Sequence, residues 1–243
     1  MGQARELDRI LEANGFDGDL ARSILRDHSI ARVMVQTAQA YVTRSEAREE
    51  KPETEVRCAS YYSRIAQAKT LWNKGFGRAF DSFDAYLATI PDVPEELRPH
   101  DERFQYLILV DARLGLKKSC ELAGGKSHED EQSLRHFGPA RTSEVYWMRC
   151  LSGRCNRGKS ARRCYIRCSE ECPGGMGLTA IEGVALYIQN PDVIEGYYIN
   201  LIASHTHVGS NVAVLGRWRD GLSLSYRNEY DEHPDFGSAY RRK

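Results

Sequence analysis

Apolar residues recur at helical spacing through the first third of the chain and in alternating or short unbroken runs through the rest. Leu7, Ile10 and Leu11 share one helical face, and Asn14-Gly15 can close that element. Asp19 can cap a second short helix carrying Leu20, Ile24 and Leu25, and Ser29 a third with Ile30, Val33, Met34, Tyr41 and Val42. A charged stretch from Arg44 to Glu55, broken at Pro52, reads as a solvated helix end and loop. Tyr61, Ile65, Ala68 and Trp72 then sit at i, i+4, i+7 and i+11, and Phe76, Phe80, Phe83 and Leu87 repeat that spacing after Gly75. Two such stripes are expected to pack against each other.

Pro91, Pro94 and Pro99 mark a change of organisation. They predict a linker over 91–103, between a helical region at 1–90 and a second domain at 104–243. Phe104 to Val110, Glu144 to Leu151 and Tyr197 to Ala203 read as strands. Thr179-Ala180-Ile181-Glu182 is a capping-box signature, and the helix it opens turns Ile181, Val184, Ala185 and Ile188 inward before stopping at Asn190-Pro191. Asn211 to Trp218 and Leu222 to Tyr226 flank Asp220-Gly221, a strong hairpin signal. Arg241-Arg242-Lys243 reads as a frayed tail. The expected fold class is α+β: a helical N-terminal region followed by a mostly antiparallel sheet with one or two packed helices and a Cys-rich loop. Strands and helices do not alternate regularly, which disfavours a doubly wound nucleotide fold.

Composition narrows the class. The 243 residues carry 34 Lys+Arg against 34 Asp+Glu, with 41% hydrophobic residues, so a real core is available, which argues against global disorder. The longest aliphatic run, Leu107 to Val110, ends at Asp111, far short of a membrane span. The opening Met1-Gly2-Gln3-Ala4-Arg5-Glu6 lacks the apolar core of a signal peptide, so the expectation is a cytoplasmic protein without a membrane partner.

The chemistry concentrates in 149–172, a basic five-Cys insertion. Cys150, Cys155, Cys164, Cys168 and Cys172 offer four thiolates for a structural zinc ion, one being left over. On a single helix Cys164, Cys168 and Cys172 would share a face. Gly153 to Arg163 contains no large apolar side chain, so a metal would supply folding energy that the segment otherwise lacks. Arg154, Arg157, Lys159, Arg162, Arg163 and Arg167 make the segment a candidate contact for nucleic acid or another polyanion. Tyr146, Trp147 and Tyr165 are candidate base-stacking rings.

Two other patterns point to enzymes. Residues 153–160 match G-x-x-x-x-G-K-[ST], which would make Gly153, Gly158, Lys159 and Ser160 an alternative phosphate site. Only about eighty residues follow, too few for the usual parallel ATPase sheet. His205 and His207 could ligate a metal, with Asp111 or the carboxylates at 229–232 completing the set.

The run Leu178-Thr179-Ala180-Ile181-Glu182-Gly183-Val184-Ala185-Leu186 resembles the L-T-x-x-E-G-x-A-L signature of a bacterial family, domain of unknown function 5701. The following Asn190-Pro191 turn, the strand from Tyr198 to Ser204, the hairpin with Trp218 and the upstream Leu107 to Asp111 strand fit it as well. The resemblance covers 104–227 and implies a compact bacterial α+β domain; it supplies no catalytic residues. The basic insertion and the helical first hundred residues depart from it. The functional expectation is a non-catalytic, zinc-stabilised module binding nucleic acid or ribonucleoprotein. The alternatives are an NTP- or metal-dependent enzyme, and an adaptor whose N-terminal helices meet a protein partner.

Overall fold

A computed structural model describes residues 52–98, 103–127, 133–137, 143–171, 173, 175–207, 209–218 and 221–242. The three helices expected before residue 50 lie outside the described residues. The chain divides between Glu55 and Val56, not at the proline-rich stretch. The reason is packing. Helix α1 (Pro52–Lys74) and helix α2 (Phe83–Ala88) put Ala68, Leu71 and Tyr86 into the same core as Ile108, Leu109 and Leu186. The two aromatic stripes do meet, Trp72 against Phe83 and Tyr86, and Phe80 against Tyr86. The second stripe is not one helix, however. The chain turns at Gly75, and α2 starts afresh at Ser82, whose side chain accepts from the Ala85 amide.

The part of 91–103 that is described is tied to the sheet: Trp147 Nε1 donates to the Pro91 carbonyl. Arg149, buried in the sheet, donates to the carbonyls of Leu97, Arg98 and Phe104 and clamps this stretch down.

The strands are β1 (Tyr106–Asp111), β2 (Lys126–Ser127), β3 (Leu134–His136), β4 (Val145–Leu151), β5 (Gly175–Gly177), β6 (Tyr198–Thr206), β7 (Asn211–Trp218), β8 (Gly221–Asn228), β9 (Phe236–Ser238) and β10 (Tyr240–Arg242). They form two sheets. The smaller runs β1-β4-β10-β5, and the larger runs β2-β8-β7-β6-β3 with β9 also on β6. Pairing is antiparallel except for β2 with β8 and β6 with β9, so the α+β expectation holds.

Four further helices complete the unit: α3 (Gly115–Leu122), α4 (Ala161–Ile166), α5 (Cys168–Glu171) and α6 (Ala180–Gln189). Helix α6 is buried almost all round and touches both sheets. Its capping box forms as expected. Glu182 is fully buried, accepts from the Tyr146 hydroxyl and lies 3.1 Å from Arg241 Nε. Arg241 and Arg242 are therefore part of β10 and not a frayed tail; Lys243 lies outside the described residues. Within two residues the segment 236–242 passes from β9 in the larger sheet to β10 in the smaller and joins them. Among the described residues, no helix is long and apolar enough to cross a membrane.

Candidate polyanion-binding cleft

The basic segment leaves β4 at Leu151, turns through a 3-10 helix (Arg154–Asn156), and re-enters the fold as α4. It lacks large apolar side chains, yet it is firmly held. Asn156 is buried and grips Ser238 on both sides: its Nδ2 donates to the Ser238 carbonyl at 2.8 Å, and its Oδ1 accepts from the Ser238 amide at 2.6 Å. Gly158 N donates to the Phe236 carbonyl, Arg157 Nε to that of Pro234, and Arg162 N to that of Glu229. Gly153 has φ +90, and a Cβ there would fall 2.7 Å from Ser238 C. The loop is thus pinned by backbone hydrogen bonds at the crossover between sheets.

The thiols take separate places. Cys150 is buried in the main core, where burial and the nearby Glu182 charge push its pKa well up. Cys164 lies in a second apolar cluster with Leu151, Ile202 and Tyr240. Cys155 is exposed, and Cys168 Sγ donates to the Gly175 carbonyl. Cys164 and Cys168 do not share the one helical face expected of them, because the chain breaks at Arg167 between α4 and α5. Among the described residues no three His, Cys, Asp or Glu side chains gather to hold a metal; Cys172 lies outside them.

The nucleotide-loop match also changes meaning. Strand β4 is flanked by antiparallel β1 and β10. Asn156 N and Lys159 N donate to loop carbonyls and Gly158 N to that of Phe236, so these amides are not turned toward a phosphate. Ser160 caps α4, its Oγ accepting from Arg163 N at 3.3 Å. Lys159 keeps a role at a cleft; Gly153, Gly158 and Ser160 serve the fold.

His205 and His207 are not drawn together. His205 Nδ1 lies 3.3 Å from Glu229 Oε2 and its Nε2 3.0 Å from the Ile202 carbonyl, so both ring nitrogens are occupied. His207 Nδ1 accepts from Arg135. Asp111 is taken by Tyr86 and Arg113.

The loop and its neighbours enclose an open cleft of about 420 Å³. Arg103, Arg154 and Lys159 line it, with Gln105, Cys155 and Tyr240. Arg154 lies 5.1 Å over the Tyr197 ring, and Tyr197 donates to the Ser152 carbonyl at 3.2 Å. Burial raises the Tyr197 pKa, so the ring stays neutral beneath the guanidinium. The other basic residues have different settings. Arg157 contacts Asp235, Arg162 lies 3.9 Å from Glu229, and Arg167 pairs with Glu170 at 2.9 Å. Arg163 is exposed on α4. Of the three rings, Trp147 and Tyr146 are tied to Pro91 and Glu182, while Tyr165 is exposed beside Phe137 at 5.7 Å. Arg103 and Gln105 carry no sequence signal, since only the fold brings them to the loop.

No protein-family model matches the chain, and no curated protein or solved structure matches it either.

Proposed function

We propose that this unit is a non-catalytic module that binds single-stranded nucleic acid, with backbone phosphates entering the cleft. The supporting observation is the convergence of Arg103, Arg154 and Lys159 on one cleft whose described lining includes no acidic residue. Arg154 supplies a planar fork backed by the Tyr197 ring, and Lys159 a point charge; both suit phosphate oxygens. Exposed Phe137 and Tyr165, the latter on the α4 that follows the loop, offer faces to unpaired bases. Three neutralised phosphates correspond to a log–log salt slope of about −2 on a single strand.

Fluorescence anisotropy of a labelled mixed-sequence RNA 12-mer across a potassium chloride series tests this. The expected result is a slope near −2, with Arg154→Ala and Lys159→Ala each flattening it by about 0.7. Salt-independent binding, or variants that bind as the wild type does, would overturn the reading.

A further inference from the structure

A second cavity, about 240 Å³, opens on the larger sheet and shares no lining residue with the basic cleft. Ser223, Ser225 and Arg227 are alternate residues of β8 and so project from one face. Across the sheet, Gly216 lies opposite Ser223 and Val214 opposite Ser225. Gly216 leaves room for Tyr198, whose ring would lie 2.2 Å from any Cβ at that position. Tyr198 in turn stacks on Phe236 at 4.6 Å with planes 15° apart. The cavity therefore has an aromatic wall beside two hydroxyls.

Arg227 gives it charge. Its guanidinium lies 3.7 Å over the Phe236 ring, and its side chain is 14% exposed. It pairs with Asp231 only at 3.7 Å, and Asp231 itself faces solvent. Arg227 Nη1 is buried and has no hydrogen-bond partner among the described residues. Burial draws the Arg227 pKa below its usual value, consistent with a cation short of counter-charge. Arg217 adds a second cation to the lining. Among the described residues, Arg217 and Arg227 set against Asp231 leave one positive charge, which suits a monoanion.

We propose that this pocket binds a small carboxylate with a flat apolar body. The carboxylate is held by the arginines and the Ser223 and Ser225 hydroxyls, and the body lies against the Tyr198 ring, which Phe236 backs. A guanidinium fork matches a carboxylate in shape, and an aromatic wall favours a flat partner.

Saturation-transfer NMR on the full chain with benzoate as probe, and benzyl alcohol as its neutral analogue, tests the proposal. Benzoate should give a signal with wild type and with Lys159→Ala, and benzyl alcohol should bind at least about tenfold more weakly. The benzoate signal should vanish in Arg227→Met and in Ser225→Leu, which fills the cavity while leaving the arginines in place. Absence of any benzoate signal, equal binding of the two probes, or benzoate binding that survives in folded Ser225→Leu would overturn it.

Discussion

Asp111 shows how little a residue type says until its partners are known. It is buried at the end of β1, where the Tyr86 hydroxyl donates to Oδ2 at 2.9 Å and Arg113 forks onto both oxygens. A carboxylate that sequence offers as a metal ligand is here the anchor of a buried network. The same holds across the arginines of 149–172. Arg149 is a buried clamp, Arg154 a lining of the cleft and Arg167 half of a surface pair. Nothing local distinguishes them, because the partners of Arg149 lie about fifty residues away in sequence. Tyr86 makes the network measurable. Burial first, and then the Asp111 charge, lift its hydroxyl far above the ordinary 10.0. The unfolded chain therefore releases this proton above pH 10 while the folded chain keeps it. The contribution is whole below that pH and shrinks as pH climbs beyond it, by up to about 1.4 kcal/mol per unit. Urea denaturation at pH 9 and pH 11 should show a steeper loss for wild type than for Tyr86→Phe. Equal losses would mean that Tyr86 titrates normally in the fold.

Among elements, those with a long period were legible. The strands β1, β4 and β6, the β7–β8 hairpin and the capped α6 lie within a few residues of where alternation and capping signals put them. The strands β2, β3, β5 and β9 are two or three residues long, too short to carry a period, and they exist because neighbours supply their hydrogen bonds. The bonds that hold the basic loop were not legible for a related reason. A segment without apolar side chains suggests an outside source of folding energy, but Asn156 and the loop backbone bond to the 229–238 stretch instead. Asn156→Ala would strip both the Ser238 amide and its carbonyl of a buried partner. The expected loss is about 2–3 kcal/mol, read as a lower Tm by calorimetry. Treatment with EDTA should leave the wild-type Tm near its starting value. A shift on chelation as large as that of the substitution would show that a metal, not Asn156, holds the loop.

At the scale of the whole molecule, the join between sheets depends on the last described residues. A run of three basic residues reads as a loose end, yet Arg241 reaches the fully buried Glu182 on α6. A single buried ion pair is costly to break from one side, because the remaining charge stays out of water. Arg241→Met should cost about 3–5 kcal/mol in urea denaturation, and Glu182→Gln with Arg241→Met together should cost less than the two singles summed. Strict additivity would mean that the pair is not coupled. Helices α1 and α2 bury their apolar faces in the same core as the sheets, so the division of the chain falls before Val56 and not at 91–103. One contact of α1 reaches further. Strand β1 lies at an edge of the smaller sheet, and Gln67 fills part of that edge, its Nε2 donating to the Leu107 carbonyl and its Oε1 accepting from the Leu109 amide, both at 2.7 Å. An amide side chain here mimics a missing strand. Any fluctuation that lifts α1 away would bare this stretch of backbone as a template for another chain's strand, and in the fold Gln67 occupies it.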